Sequence, residues 1–133
     1  MKYMLDTNIC IYIINKKYEN VMKQFHDKLK NGICISAITL AELKHGTAKS
    51  QNPKKNNAML SKLIKELTVI PFDSDAADEY GEICAYLQKK GTPIGTMDML
   101  IAAHAKAEDL TLVTNNMREF ERVPDLKLEN WVE

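Results

Sequence analysis

The sequence is poor in residues that break or crosslink a chain. Its 133 residues include five glycines, four prolines and three cysteines. So few glycines and prolines leave no room for a low-complexity linker. Cys10, Cys34 and Cys84 form no C-x-x-C pair, which excludes the closely spaced metal and redox motifs. We therefore expect three reduced thiols, most of them buried.

Long apolar runs and nucleotide-binding motifs are also absent. The longest apolar run near the start, residues 9–14, is far shorter than the roughly 20 residues that span a bilayer. Asp6 lies where a signal peptide would carry positive charge. The sequence contains no G-x-x-x-x-G-K, G-x-G-x-x-G or H-E-x-x-H, so neither a phosphate-cradling loop nor a zinc site of that kind is expected. We expect a cytoplasmic protein with no membrane segment.

A net charge of zero hides a strong asymmetry along the chain. Residues 1–66 carry 12 basic and 5 acidic side chains, a balance of +7, whereas residues 67–133 carry 6 and 13, a balance of −7. The stretch from Lys44 to Lys65 contains six lysines and no acid. Such a stretch is either a solvated helix face or a surface that binds nucleic acid.

Short apolar runs alternate with helical patterns. Strands are predicted at residues 2–5, 33–36, 68–72 and 110–114, and a short edge strand within residues 126–131. Pro71 places the third run at an edge or a strand end. Near-continuous apolar character is typical of parallel strands buried on both faces. We therefore predict one α/β domain over residues 1–133, with a parallel sheet of four or five strands between helices.

The helix ends carry recognisable signals. Helices are predicted at residues 8–14, 19–30, 37–47, 54–67, 74–90 and 96–107. We expect Ser36, Ser74 and Thr96 to cap three of them at their N-termini. Gly91 is expected to end the helix over residues 74–90.

Three acids fall at the carboxyl ends of the predicted strands, where ligands bind in open α/β sheets. Asp6 follows the first strand, Glu42 lies about one and a half turns into the helix after the second, and Asp98 lies in the first turn of the helix that leads into the last. Converging carboxylates raise one another's pKa or recruit a cation. An all-oxygen site suits Mg²⁺ or Mn²⁺, which support phosphodiester hydrolysis.

Each acid also has a purely structural interpretation. Asp6 could serve only as a helix N-cap, Glu42 could be a solvated helix residue, and Asp98 could only compensate a helix dipole. His26, His45 and His104 form no pair at ligand spacing, and His104 is expected to be packed or at an interface. The common position of the three acids favours a functional role.

Four motifs occur in order along the chain: Met4-Leu5-Asp6-Thr7-Asn8, Ser36-x-x-Thr39-x-x-Glu42-x-x-x-Gly46, Asp98-x-x-Ile101-Ala102-Ala103-x-Ala105 and Leu112-Val113-Thr114-x-Asn116-x-x-x-Phe120. In order and spacing they resemble the PIN-domain family, and within it the VapC toxins of bacterial VapBC toxin–antitoxin systems. The resemblance spans nearly the whole chain. It implies a three-layer α/β/α fold and a metal-dependent endoribonuclease.

The resemblance also implies roles for particular residues. Asp6, Glu42 and Asp98 match the three core acids that hold Mg²⁺ or Mn²⁺ and carry catalysis. Asn116 stands where many relatives have a fourth acid, and Glu119 is a candidate for the missing carboxylate. Two hydroxyl side chains would orient the acids: Thr7 and Thr114.

Partners follow from the resemblance as well. It implies an RNA substrate, commonly a tRNA cut in its anticodon region, with inhibition of translation. It also implies a VapB antitoxin, a homodimer, and a larger complex that binds operator DNA through the antitoxin. The RNA stem would lie on four lysines: Lys44, Lys49, Lys54 and Lys55. The antitoxin would lie in an apolar groove near four side chains: Ile9, Ile13, Met59 and Leu63.

Three other interpretations fit parts of the sequence. A haloacid-dehalogenase-like phosphatase needs a second acid two residues after Asp6, where Asn8 stands. A receiver domain needs an acidic pair after the first strand and a lysine where Thr114 lies. A PIN-like module that binds RNA or protein without cutting gains weight from Asn116 and loses it from the three intact acids.

Overall fold

A computed structural model describes residues 1–133 and contains one five-stranded sheet. The strands are β1 (Tyr3–Leu5), β2 (Ile33–Ser36), β3 (Thr68–Ile70), β4 (Thr111–Val113) and β5 (Leu128–Glu129). Their order is β3-β2-β1-β4-β5, and every neighbouring pair is parallel. The predicted parallel sheet is confirmed, with β3 and the short C-terminal strand at its edges.

Seven helices connect these strands. They are α1 (Thr7–Asn15), α2 (Glu19–Lys28), α3 (Ala37–Ala48), α4 (Pro53–Ile64), α5 (Ser74–Lys90), α6 (Thr96–Ala107) and the single turn α7 (Met117–Phe120). A 3-10 turn, Leu29–Asn31, follows α2. None of the helices is long and apolar enough to cross a membrane.

Alternation along the strands divides the core into two layers. Tyr3 and Leu5 of β1 pack with α1, α2 and α4 on one face of the sheet, while Met4 between them packs with α5 and α6 on the other. The same alternation separates Cys34 from its neighbours in β2. Because successive side chains of a strand point to opposite faces, three-residue strands suffice to build both layers, and the three-layer α/β/α fold is confirmed.

Two predicted helix caps were wrong by one residue. Asp73, not Ser74, caps α5, and its Oδ1 accepts the Ala76 N–H at 3.0 Å. Thr96 is the first residue of α6, and the capping position belongs to Gly95, which has no side chain to accept a hydrogen bond. Adjacent residues with equal capping ability cannot be ranked by pattern, because backbone geometry decides which carboxylate or hydroxyl faces the free N–H groups.

Other predicted features are confirmed. Ser36 caps α3, since its Oγ accepts the Ile38 N–H at 3.0 Å. Gly91 ends α5 in the left-handed region at φ 72°. Cys10 and Cys34 are buried free thiols and Cys84 is half-buried. Burial raises the pKa of the Cys34 thiol to about 12, so this thiol stays protonated and inert.

The C-terminal tail is fastened to α2 and β1. The indole of Trp131 is 2% exposed and meets the Tyr3 ring edge-on, with centroids 5.8 Å apart. The Asn20 amide donates to the carbonyls of Trp131 and Glu133, at 2.9 and 2.7 Å. Lys28 on α2 adds an ion pair with Glu129 of the tail at 3.0 Å. Trp131 therefore closes the core layer that contains α1, α2 and α4.

We predict that Trp131→Ala lowers the free energy of unfolding by about 3–5 kcal/mol, because it leaves a large cavity beside β1. Urea titration followed by circular dichroism measures the change. The control is Tyr86→Ala on α5, whose side chain is 39% exposed and whose loss is expected to cost less than about 1 kcal/mol. Equal effects of the two substitutions would contradict the role assigned to the tail.

Candidate active site

Asp6 directly follows β1, and both its backbone and its carboxylate make contacts there. Its backbone N–H continues the sheet by donating to the Val113 carbonyl at 3.0 Å. Its carboxylate caps α1, with Oδ1 accepting the Ile9 N–H at 2.9 Å. The residue is 5% exposed. Burial raises the pKa of this carboxyl, although hydrogen bonds from the Thr114 hydroxyl and the Ile9 amide oppose the rise, and the charge of Glu42 adds to it.

Glu42 reaches Asp6's end of the sheet from α3. It lies six residues after Ser36, the last residue of β2. The Thr7 hydroxyl donates a 2.6 Å hydrogen bond to Glu42 Oε1. Since Thr7 is the first residue of α1 and follows Asp6 directly, this bond fixes Glu42 beside the carboxyl end of β1.

Asp98 approaches from the other layer. It lies in the first turn of α6, which runs back from the carboxyl edge of the sheet to β4. Burial, a hydrogen bond with Glu119, and the charges of Glu119, Asp6 and Glu42 together raise the pKa of Asp98 to about 6. The four acids are therefore close enough to feel one another's charge.

The segment after β4 supplies the remaining polar groups. Thr114 is buried, and its Oγ1 accepts the Asn116 N–H at 2.9 Å. Asn116 precedes α7 without making a side-chain capping bond. Asn115 is engaged elsewhere, since its Oδ1 accepts a hydrogen bond from the Asn130 amide at 3.2 Å. Of the two candidates for a fourth acid position, it is Glu119 that interacts with Asp98.

An unpredicted contact supports the Asp98 side of the site. Arg122, just after α7, donates to the Pro93 carbonyl at 3.0 Å. This bond ties the loop that leads into Asp98 to the segment that carries Glu119. Nothing in the spacing of Pro93 and Arg122 along the sequence indicates that they meet.

The histidines and lysines lie where the sequence indicated. His26 and His45 are exposed, and His104 is buried in the core. Lysines 44, 49, 54 and 55 are all exposed, at the end of α3 and the start of α4. Lys44 donates to Asn57 Oδ1 at 3.1 Å, which links the two helices. These lysines therefore lie on or next to α3 and α4, and Glu42 also lies on α3.

The chemistry of this donor set fits a hard divalent cation. In the metal-free structure no three His, Cys, Asp or Glu side chains are grouped so that they could hold a metal ion together. Mg²⁺ does not require one, because it keeps several of its waters and binds proteins through one or two carboxylates. Burial first, and neighbouring acidic charge after it, raise the pKa of Asp6 and of Asp98, and a bound cation would favour the ionised form of both.

Comparison with known proteins identifies the class to which this fold and acidic edge belong. Residues 3–126 match the model of the PIN domain. This match covers most of the chain, so the chain belongs to the PIN-domain family.

Individual relatives narrow the assignment. The chain is 45% identical over 131 residues to the tRNA(fMet)-specific endonuclease VapC of Salmonella typhimurium and 47% identical over 132 residues to ribonuclease VapC2 of Rickettsia felis, in both cases over 98% of each chain. Within the PIN-domain family, it is therefore one of the VapC endoribonucleases.

Solved structures agree with this assignment. The chain superposes with a TM-score of 0.94 on VapBC2 of Rickettsia felis bound to a promoter DNA fragment, at 46% identity over 98% of this chain and 99% of that one. It superposes equally well, at 45% identity and 98% coverage of both chains, on DNA-bound VapBC of Salmonella typhimurium.

The raised pKa of Asp98 predicts a pH-dependent stability in the metal-free protein. Between about pH 4 and pH 6 the folded protein retains a proton on Asp98 that the unfolded chain has lost. The free energy of unfolding therefore falls as the pH rises through that window. Removing the Glu119 charge removes its repulsion of the ionised Asp98 carboxylate. Glu119→Gln should therefore raise the free energy of unfolding at pH 7.5 by on the order of 1 kcal/mol more than it does at pH 4.

Urea unfolding in EDTA at the two pH values measures this difference. Asn116→Ala is the matched control, because its side chain brings no charge to Asp98. A pH-dependent gain from Asn116→Ala, or none from Glu119→Gln, would contradict the pairing.

Proposed function

We propose that this VapC endoribonuclease depends on Mg²⁺ or Mn²⁺ and cuts tRNA in its anticodon region, so that the free protein inhibits translation in the cytoplasm. The observation that carries the proposal is the set of four acids at the carboxyl edge of the sheet, where burial, together with the hydrogen bond and charge of Glu119 and the charges of Asp6 and Glu42, raises the pKa of Asp98 to about 6. A tRNA target is supported by the Salmonella typhimurium relative, whose name specifies tRNA(fMet).

Asp6, Glu42 and Asp98 would hold the metal. When bound, the ion lowers the pKa of a water ligand and offsets charge on the scissile phosphate. Thr7 keeps Glu42 directed toward the site by a 2.6 Å hydrogen bond, and Thr114 supports the ionised form of Asp6. Glu119, which hydrogen-bonds to Asp98, would then be placed to accept a proton as water attacks phosphorus. The products are 5′-phosphate and 3′-hydroxyl ends.

Glu119 takes the part of the fourth acid in this proposal. Its hydrogen bond and charge both act on Asp98, whereas Asn116 adds no charge. One ion held firmly by the core acids, with a second joining only with the RNA phosphate, is consistent with this replacement.

The lysines at the end of α3 and the start of α4 are proposed to bind the flanking RNA stem. The first turn of α4 contains Lys54 and Lys55 and no acid. Positive charge there opposes the helix dipole, so these lysines do not serve the stability of α4. They do create an anion-attracting surface on the helix pair that carries Glu42.

Two adjoining cavities form a groove that we propose as the binding site of a VapB-type antitoxin: one of about 250 Å³ between α1, α3 and α4, and one of about 380 Å³ between α1, α2 and α4. Ile13, Met59 and Leu63 line it, as the sequence analysis expected. The prediction that Ile9 lines the groove was wrong, because Ile9 is wholly buried in the core. Ile11 and Ile14 line the groove instead. The structural neighbours are VapBC complexes on DNA. By analogy, we propose a homodimer that joins a larger complex and reaches operator DNA only through the antitoxin.

The nuclease proposal predicts discrete cleavage of a tRNA pool in Mg²⁺ or Mn²⁺ and none in EDTA. Asp6→Asn, Glu42→Gln and Asp98→Asn should each lower the rate at least about 100-fold, because each removes a charge that the metal or the phosphate requires. End-labelling of the products and sequencing of the cut sites provide the measurement.

Asp75→Asn is the control, since Asp75 is an exposed acid on α5 and its loss should leave the rate unchanged. Cleavage that persists in EDTA would overturn the metal dependence. Binding of tRNA without cleavage in any metal would favour the non-cutting PIN-like module.

The lysine surface predicts a specific change in salt dependence. Each phosphate contact with a double-stranded stem contributes about 0.9 to the slope of log affinity against log salt concentration. Replacing Lys54 and Lys55 together by Gln should therefore reduce that slope by about 1.8, measured as tRNA binding to the inactive Asp98→Asn protein. Lys89→Gln with Lys90→Gln, at the exposed end of α5, is the matched pair and should leave the slope unchanged.

A further inference from the structure

His104 is a wholly buried titratable side chain outside the acidic edge. It lies on α6, six residues after Asp98. Its Nδ1 is 2.7 Å from Ser36 Oγ, a hydrogen bond between residues 68 positions apart. The carboxylate chemistry described above does not use this imidazole, so its buried polar contact requires another explanation.

The partner of His104 begins the helix that carries Glu42. Ser36 Oγ accepts the Ile38 N–H at 3.0 Å and thereby caps α3, and Glu42 follows six residues later. The contact between His104 and Ser36 therefore joins the helix of Asp98 to the first turn of the helix of Glu42. Both groups are fully buried, so water does not compete for the bond.

The hydrogen-bonding capacities of the two groups assign the proton. Burial lowers the pKa of His104, outweighing the opposing charges of Glu108 and Asp73, so the imidazole is neutral. Ser36 Oγ already accepts the Ile38 N–H, and its own hydrogen is free to be donated to Nδ1. The ring proton then lies on Nε2, which is buried without a hydrogen-bond partner.

The ring is also held sterically. Phe72 meets the imidazole edge-on, with centroids 5.3 Å apart and planes at 73°. Phe72 belongs to the connection between β3 and α5. The imidazole is thus fixed by α6, by the start of α3 and by a third segment, which restricts its rotation.

We propose that His104 is a positioning residue for the ribonuclease reaction: through Ser36 it holds α3 and α6 at the spacing that brings Glu42 and Asp98 to one site. The inference rests on the proposed function, since these two acids are the ones assigned to the metal. Like charges at the two helix starts repel each other, and a buried bond close to that edge opposes their separation. The spacing matters because a misplacement of about 1 Å can cost about 100-fold in rate.

The experiment removes the bond from either side. His104→Leu and Ser36→Ala should each lower kcat on tRNA at least about 10-fold with KM within about twofold, and should weaken Mn²⁺ binding to the RNA-free protein by about 10-fold. The double variant should be no worse than the more damaged single one, because both remove the same bond. His104→Asn, which retains a polar atom near the position of Nδ1, should recover most of kcat.

Two controls separate positioning from general stability. Val21→Ala destabilises the buried core on α2, on the opposite face of the sheet. Ser50→Ala removes another hydroxyl contact at the far end of α3, the 2.7 Å bond to the Thr47 carbonyl. Both should keep kcat and Mn²⁺ affinity, even where Val21→Ala lowers Tm as far as His104→Leu does.

A third measurement does not depend on catalysis. The backbone amide resonances of Glu42 and Asp98 in the metal-free protein should shift in His104→Leu and stay in place in Val21→Ala. Unchanged resonances, additive losses in the double variant, or unchanged kcat and Mn²⁺ affinity in His104→Leu would each overturn the positioning role. A wild-type protein that cuts no RNA in any metal would instead overturn the proposed function, and the resonance shifts would still decide the role of His104.

Discussion

Repulsion among carboxylates at one edge of the sheet is the constraint around which the rest of the structure is organised. Parallel strands end at the same edge, so the residues after β1, β2 and β4 come together there, and α6 starts beside them. Burial and neighbouring charge raise the pKa of Asp98 to about 6 and that of Asp6 as well. The folded chain therefore keeps these acids together at a cost, and other contacts must offset it.

Most of those contacts fall at helix starts. Asp6 caps α1 while facing the site, Thr7 holds Glu42 at 2.6 Å, and Arg122 fastens the loop before Asp98 at 3.0 Å. Each bond satisfies a backbone or side-chain group that the fold would otherwise leave unpaired. Asp6 has three of these roles at once: the residue directly follows β1, its carboxylate caps α1, and the same carboxylate contributes charge to the site. The N-cap interpretation of Asp6 is therefore confirmed, and it does not conflict with the metal-binding role proposed for the same carboxylate.

The sequence predicted the elements of the fold better than their contacts. Apolar runs and helical spacing located four strands and the major helices, and Pro71 indicated an edge, because these signals are local. The position of three acids at strand ends followed from the same reasoning. The strand order, the Thr7–Glu42 bond and the Arg122–Pro93 bond join distant segments, so no local pattern encodes them. Ile9 shows the limit within a single helix: spacing placed it on an apolar face, but only packing reveals that this face is core and that Ile11 and Ile14 face the groove.

The groove and the acidic edge are parts of one continuous surface. Glu42 itself lines the cavity between α1, α3 and α4, beside Ile11, Ile14 and Met59. A chain that buries its apolar side chains along that cavity therefore ends its path within reach of a site carboxylate. Excess negative charge there favours a cationic group at that point, whether it is a metal ion or a basic side chain. On the proposed function, a basic side chain of a groove-bound chain and a metal ion would compete for the Glu42 carboxylate, so binding in the groove would be coupled to metal binding without any change in the fold.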